Sequence, residues 1–510
     1  MSGRTRGTLF VVLVACFVSR AFASLDTNKI AAIRSLTLQG LDAAYNLDFS
    51  AAEKKFDEAS AIEPLHPRPL WGRVEIKFWQ MIIGRRETNY DAFLAQANNV
   101  IDKAEKYVDT YGQDPDALIC LGTLYGDRAF ANARMKNYLR SAWDGKKSFD
   151  YFTEANKLDP NNPDAYVGLG VYHFFAAFIP KPLQWIVSIL GVHSDDDLGI
   201  HELGIAAERG IYSKVEAKYY LAEMLPWYNG EFDSSETIFK GLSEHYPRNI
   251  LFTFTLAAWE MRRNAIGDAR ERLMGILDNA SAIPGLQEFT EEKLGECNFR
   301  LGNYREGLYY YKRFLLHHPD ELYVGSAQYR AGLCYELLGE RDSAIAFYKS
   351  AAEADPKFGD DAYCKRRAQV RLKEPMREED LLLLRAQNYY RTSRYDSAVA
   401  MYEKLAQAPD ILPLTRTEAL YGLAETYFEL AQYDSAILGY QAVVAMDVPA
   451  DECWLLATSH YRCGICHRKL SHKDLAGEEF RKTLEFEDYD YDNWYTFRTK
   501  KETEFLKRPG

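Results

Sequence analysis

The sequence lacks the short motifs that mark the common enzyme and nucleotide-binding classes. It contains no G-x-x-x-x-G-K-[ST] phosphate loop, no G-x-G-x-x-G after a strand, no H-E-x-x-H and no G-x-S-x-G. The His201-Glu202 pair lacks the second histidine of a zinc protease, because Ile205 follows it. The carboxylates at 195–197 lack calcium-loop spacing, so we expect them to cap the next helix. We therefore predict a non-catalytic protein with no cofactor and no metal site.

Basic residues, long apolar runs and cysteines are also scarce. The 62 Lys and Arg against 74 Asp and Glu give a net charge of −12, which disfavours nucleic acid as a partner. Mean hydropathy is −0.36, and prolines at 180 and 182 break the most apolar stretch after the N-terminus, 174–192. Seven widely scattered cysteines outside the N-terminus do not form the dense, even framework of a disulfide-stapled fold.

Residues 1–23 have the pattern of an export signal, with two arginines followed by an apolar run. Two cleavage sites compete. Ala21-Phe22-Ala23 would release a soluble chain starting at Ser24, whereas Leu13-Val14-Ala15-Cys16 resembles the lipobox of bacterial lipoproteins, in which Cys16 carries lipid. An uncleaved helix is a third alternative. The first two predict a periplasmic or outer-membrane lipoprotein, or a soluble secreted protein.

The rest of the chain repeats itself. An Asp-Ser-Ala core recurs at 342–344, 396–398 and 434–436, and each copy has a tyrosine four residues after its alanine and another nine residues before it. Further copies surround Gly307 and Ala476. Small residues recur at a fixed position in the preceding helical stretch, where they would let two helices approach closely. They are Gly295, Gly332, Ala386, Ala424 and Gly464.

This pattern resembles the tetratricopeptide repeat, a helix–turn–helix unit of about 34 residues. The resemblance implies an all-α solenoid that winds into a right-handed superhelix, because no unit buries its apolar face alone. We predict about ten units with helical connectors at 67–115 and 359–378. The units are 33–66, 116–160, 163–210, 216–249, 252–287, 288–321, 325–358, 379–412, 417–450 and 457–490.

A narrower resemblance covers residues 163–228. There a repeat-like helix is followed by the proline-broken apolar hairpin 174–192 and a second helix. The block is similar to the tetratricopeptide-repeat-39 (inclusion-body-clearance) family, whose fungal members have a link to lipid droplets and which supplies no catalytic residues. We divide the mature chain into an N-terminal repeat-like region 24–287, a C-terminal array 288–490 and a capping tail 491–510. The hairpin is an internal packing element or, alternatively, a patch for lipid or another apolar ligand.

One motif points to chemistry. Cys463-Gly464-Ile465-Cys466-His467 is C-x-x-C-H, the attachment pattern of c-type haem. The same residues are in register with a repeat helix, which leaves little room for a porphyrin. Three interpretations stay open: a haem site, a dithiol redox pair of Cys463 and Cys466, and plain core cysteines.

The first helices of the repeats predict where a partner binds, because in tetratricopeptide-repeat proteins they line the concave groove. Aromatic and charged side chains there suit a protein or peptide segment, and make a small-molecule ligand a weaker expectation. We expect about half of them to be exposed. The groove residues are Phe289, Glu292, Glu296, Phe299, Tyr329, Glu336, Gln387, Tyr390, Arg391, Tyr421, Glu425, Phe428, Tyr461 and Arg468.

The sequence thus predicts a non-catalytic interaction scaffold or adaptor at the cell envelope. Lipid at Cys16 would tether it to a membrane. The alternatives are the haem or dithiol protein built on Cys463, Cys466 and His467, and the lipid or apolar-ligand binder built on 174–192. The basic cluster 365–373 in the second connector is predicted to be a solvated helix face.

Overall fold

The computed structural model describes residues 26–84, 87–176, 194–230, 232–277, 285–317, 322–355 and 359–508. In these residues the secondary structure is helical throughout. The elements in chain order are α1 Thr27–Tyr45, α2 Phe49–Ile62, α3 Pro67–Gly84, α4 Glu87–Tyr111, α5 Pro115–Arg134, α6 Tyr138–Leu158, α7 Ala165–Phe175, α8 Asp196–Arg209, α9 Lys214–Tyr228, α10 Phe232–His245, α11 Ile250–Arg262, α12 Ile266–Leu277, α13 Leu286–Arg300, α14 Tyr304–His317, α15 Val324–Leu337, α16 Arg341–Glu353, α17 Gly359–Lys373, α18 Glu378–Arg391, α19 Tyr395–Gln407, α20 Pro413–Glu429, α21 Tyr433–Val444, a 3₁₀ turn Ala450–Glu452, α22 Trp454–Lys469, α23 Lys473–Thr483 and α24 Asp492–Lys507.

Twenty of these helices pair into ten antiparallel hairpins that stack in chain order. The pairs are α1–α2, α5–α6, α7–α8, α9–α10, α11–α12, α13–α14, α15–α16, α18–α19, α20–α21 and α22–α23. Helices α3 and α4 form the first connector and α17 forms the second. The predicted all-α solenoid of about ten units with inserted helical connectors is confirmed.

An aromatic ring packed on a small residue holds several of the hairpins together. Tyr311 of α14 lies over Gly295 of α13, and a Cβ added to that glycine would meet the ring at 2.7 Å. Tyr348 covers Gly332 in the same way, at 2.6 Å. These rings are fully buried. The small residues therefore set the interhelical spacing that the sequence pattern predicts.

Side-chain caps fix where several helices begin. Asp48 accepts from the backbone N–H of Ala51 at 3.1 Å, and Asp114 accepts from that of Ala117 at 3.1 Å. Asp195 accepts from Leu198 N–H at 3.0 Å, so the carboxylate run at 195–197 does cap a helix as expected.

The stack curves until distant units touch. Asn388 of α18 donates its side-chain N–H to the carbonyl of Phe299 at 3.3 Å, across 89 residues. The Ser393 hydroxyl likewise donates to the carbonyl of Asn264 at 3.2 Å. The first contact joins two first helices, α13 and α18, and the second joins the turns after α11 and α18. We use the name inner groove for the predicted partner-binding residues on the first helices α13, α15, α18, α20 and α22.

Candidate partner-binding groove

Half of the residues predicted to line the groove are accessible. Seven of them are buried and pack between helices: Phe289, Glu292, Glu296, Phe299, Tyr390, Glu425 and Tyr461. The other seven are partly or fully exposed: Tyr329, Glu336, Gln387, Arg391, Tyr421, Phe428 and Arg468.

Two of the predicted carboxylates are occupied within the chain. Glu336 accepts from the Tyr348 hydroxyl at 2.6 Å and from the backbone N–H of Met376 at 2.8 Å, and it pairs with Arg341 at 3.0 Å. Glu425 accepts the Tyr440 hydroxyl at 2.5 Å and pairs with Arg462 at 3.0 Å. These carboxylates hold second helices and connectors in place, so they serve the stability of the fold.

A cluster of charges occupies the N-terminal end of the inner groove, on α13. Lys293 pairs with Glu292 at 2.9 Å and with Glu296 at 3.5 Å, and Arg300 also pairs with Glu296. Burial alone would raise the pKa of Glu296, but Arg300 and Lys293 hold that pKa well below its usual range. Burial raises the pKa of Glu292. The cluster therefore keeps Glu296 ionised.

Arg391 is the accessible cation of the inner groove. It ends α18 with its guanidinium 5.4 Å from the ring centre of Tyr390, and no ion pair engages it within the described residues. Glu296 and Glu425 lie within electrostatic range of it. Gln387 lies one turn before it on the same helix face. A carboxylate on a partner could pair with Arg391 without displacing an existing bond.

The C-terminal end of the inner groove holds a helix of the chain itself. Helix α24 places Trp494 and Tyr495 against Tyr461, with ring centres 5.9 and 5.3 Å apart. Glu502 of α24 pairs with Arg468 at 2.8 Å. Tyr461 and Arg468, two of the predicted groove residues, therefore already have a partner within the chain. That partner, α24, contacts them with two aromatic rings and a carboxylate.

The same helix reaches the N-terminal half of the chain. Arg498 is 1% exposed, pairs with Glu502, and donates to the carbonyl of Trp227 at 3.2 Å. Lys501 pairs with Asp196 at 2.6 Å and Arg508 with Asp197 at 2.6 Å. The tail, expected to cap the last repeat, therefore also bridges α8 and α9 to α22. No local pattern could reveal a contact across about 270 residues.

The basic connector helix α17 differs from the prediction. We expected its cations to form a solvated face, but they pair with other segments: Arg366 with Asp490 at 2.5 Å, Arg371 with Asp380 at 2.8 Å, and Arg367 with Glu418. The prediction was wrong for these three arginines, because Asp490 and Glu418 come from distant sequence positions and Asp380 lies on the next helix, α18. Lys373 is exposed. Arg367, Arg462 and Tyr495 are groove-side residues that the sequence analysis missed.

The C-x-x-C-H residues lie inside the packing of α22. Cys463 and Cys466 are unbonded, buried thiols, and burial raises the pKa of Cys466 to about 12 and that of Cys463 still further. His467 is also buried, and burial lowers its pKa. Gly464 between them is covered by the ring of Phe480. This geometry fits core cysteines and gives a porphyrin no cavity.

Two predicted features lie outside the described residues: Cys16 with the whole N-terminal segment, and 177–192 of the apolar hairpin. Where the hairpin begins, Phe174 is buried and Phe175 is half exposed. Within the described ranges, no helix has the length and apolarity to cross a membrane. Nor do these ranges contain a group of three or more metal-binding side chains.

Family comparison identifies the repeats. Residues 294–357 and 383–451 match the family model described as tetratricopeptide repeat. The chain contains tetratricopeptide repeats. The matched residues begin within α13 and α18 and extend over α14–α16 and α19–α21, so they include four of the five first helices that carry the predicted groove residues. No curated protein matches the chain, so the narrower resemblance of residues 163–228 is not confirmed.

Solved structures with similar helical repeats include three of different origin. A tetratricopeptide repeat protein from Parabacteroides merdae is 17% identical, with 56% of this chain and 96% of that chain covered and a TM-score of 0.25. Human IFIT1, solved as a dimer with PPP-AAAA, is 14% identical, with 91% and 95% covered and a TM-score of 0.32. A Rap protein complexed with competence and sporulation factor is 16% identical, with 72% and 96% covered and a TM-score of 0.35.

Proposed function

We propose that the protein is an interaction scaffold that binds a segment of a partner protein in its inner groove. The observation that carries this proposal is the occupation of the groove by α24, whose aromatic rings and carboxylate contact Tyr461 and Arg468. The contacts of α24 therefore indicate which side chains the first helices of the groove can bind, namely aromatic rings and a carboxylate. Repeat arrays of this type commonly provide such concave binding surfaces.

The internal contact also indicates the chemistry of the partner. Arg391 has no ion pair among the residues that the structure describes, and Tyr329, Tyr421 and Phe428 are partly exposed on neighbouring first helices. A helix or extended segment with aromatic anchors and a carboxylate would meet these groups, with rings in the aromatic positions and the carboxylate on Arg391. The proposed partner is therefore a protein segment of mixed aromatic and acidic character.

Affinity capture from a cell-envelope extract tests the groove. Arg391→Glu reverses the unpaired cation, and Lys349→Glu makes the same change at an exposed position of α16, on a second helix. We expect the parent and Lys349→Glu to capture the same partner and Arg391→Glu to lose it. If both variants capture that partner as well as the parent does, the groove is not its binding surface.

We further propose that the scaffold works at the cell envelope, on the basis of the N-terminal signal pattern and the candidate lipid site at Cys16. The intact mass of the protein from an export-competent bacterial host tests this proposal. A start at Ser24, or a lipid addition at Cys16, would support export. A chain that retains Met1 and the whole N-terminus would contradict it.

A further inference from the structure

The tip of the α5–α6 hairpin exposes an unusual set of apolar side chains. Leu139 is 66% exposed and Trp143 is 60% exposed, and they lie one turn apart on the same face of α6. Tyr138 and Phe130 flank them and are each nearly half exposed. All four large apolar residues lie near the turn 135–137, which joins α5 to α6. Exposed apolar patches of this kind mark interaction sites.

Three cations interleave with these side chains. Arg134, Lys136 and Arg140 are exposed at the same tip, and none of them forms an ion pair within the described part of the chain. Many other arginines of the protein are paired, including those of α17. The tip is therefore a local basic surface on a chain whose net charge is −12.

The base of the tip is rigid. Arg128 of α5 donates two hydrogen bonds to Asp144 of α6, at 2.9 and 2.6 Å, and both residues are buried. Asn132 adds a third bond to Asp144 at 3.1 Å. Phe130 packs edge-on against Phe78 of α3, with ring centres 5.9 Å apart. The exposed residues are therefore held in place before any partner arrives.

We propose that this tip docks on a bilayer surface that carries anionic headgroups. Tryptophan and tyrosine favour the boundary between headgroups and acyl chains, and the cations supply attraction to anionic lipid. The apolar side chains project from the ends of two helices, which suits insertion into a surface. The acidic remainder of the chain would be repelled from the same surface, so the tip would orient the scaffold. This proposal concerns a surface distinct from the inner groove.

Vesicle co-sedimentation of purified protein that starts at Ser24, and so carries no lipid on Cys16, tests the proposal. The probes are vesicles of phosphatidylcholine alone and of phosphatidylcholine with phosphatidylglycerol. Each surface cation contributes about fivefold to partitioning, so Arg134→Gln/Lys136→Gln/Arg140→Gln should weaken binding to the anionic vesicles by roughly 100-fold. Leu139→Ser/Trp143→Ser should weaken it by about tenfold or more.

Matched variants control for general loss of charge or apolar surface. Lys240→Gln/Lys349→Gln/Lys404→Gln and Leu316→Ser/Leu438→Ser change exposed residues on other helices, and both should bind as the parent does. All variants should keep the parent's circular dichroism, because the substituted side chains are exposed. If the tip variants bind anionic vesicles like the parent, or the parent binds none, the proposal is overturned. The tip would then suit an acidic protein partner instead.

Discussion

Three buried carboxyl groups meet in the N-terminal half without a cation. Glu75 lies within hydrogen-bonding reach of both Asp127 and Glu216. Tyr45 donates to Glu216 at 3.1 Å and Trp71 donates to Glu75 at 2.9 Å. Burial raises the pKa of each carboxyl group well above its ordinary value, and the neighbouring carboxyls raise those of Glu75 and Glu216 further. Folding therefore favours the protonated form of these groups relative to the unfolded chain.

This cluster makes stability depend on pH. A carboxyl group with a raised folded-state pKa stabilises the fold below its unfolded pKa, and that stability is lost as the pH rises through the folded-state pKa. Glu216→Gln mimics the protonated form. The substitution should therefore raise the free energy of unfolding at pH 8. The gain should be about 1.4 kcal/mol for each unit by which folding raises the pKa of Glu216. At pH 4 the substitution should change the free energy of unfolding little.

Chemical denaturation of the parent and the variant at both pH values measures the effect. Glu208→Gln, which alters an exposed carboxylate on α8, is the control and should leave the pH profile unchanged. Equal pH profiles for the parent and Glu216→Gln would show that the cluster is ionised in the folded protein.

The thiols of α22 should be unreactive in the folded protein. Cys463 and Cys466 are buried and their pKa values are raised, so few thiolates are present at pH 8. Among the seven cysteines of the described residues, the partly exposed Cys453 should be alkylated first, and the others only in denaturant. Mass spectrometry of native and unfolded protein measures this. Rapid alkylation of Cys463 or Cys466 in the folded protein would contradict this prediction and favour the dithiol interpretation.

At the scale of elements, one turn conformation recurs between paired helices. A single residue takes a left-handed conformation there, and glycine holds that position in only three of the nine turns within the described residues: Leu47, Lys136, Gly230, Asn264, Gly302, Gly339, Ser393, Ala431 and Ser471. Residues other than glycine are strained in this conformation. The turns therefore carry strain that substitution can remove.

Exchanging alanine and glycine at two of these turns tests the strain. Ala431 has φ 56° and is exposed, so Ala431→Gly should raise the free energy of unfolding by roughly 0.5–1 kcal/mol. Gly302 has φ 82° and open space around an added Cβ, so Gly302→Ala should lower it by about 1 kcal/mol. Denaturation midpoints that move in the same direction for both variants would contradict the account.

The hairpins could be predicted from the sequence because their signals are local. The tyrosine four residues after the repeat alanine is buried against a first helix, which belongs to its own hairpin for Tyr348 and to the next hairpin for Tyr402. The partners of Arg367 and Arg498 could not be predicted, because curvature of the whole stack decides which distant side chains meet. The sequence predicted that about half of the groove residues would be exposed, but it did not predict which of them.

At the scale of the whole molecule, α24 joins regions that are distant in the chain. Arg498 is buried against Glu502 and the end of α9. Arg498→Gln would leave Glu502 without that partner, at a cost to the docked state of about 3 kcal/mol or more. We expect hydrogen exchange of 492–507 to accelerate while the helices of the array stay protected.

Lys500→Gln, at an exposed position of the same helix, is the matched control and should leave exchange unchanged. Unchanged protection of 492–507 in Arg498→Gln would mean that the buried pair does not hold the tail.

Site-specific photo-crosslinking in cells tests the central claim that the inner groove binds a partner segment. A photoreactive amino acid at Gln387 lies in the groove beside Arg391, whereas the same probe at Leu438 lies on an exposed face of a second helix. If a partner segment binds in the inner groove, position 387 should give a covalent adduct with a partner protein and position 438 should give none with that partner. An adduct from position 438 alone, or from neither position, would contradict it.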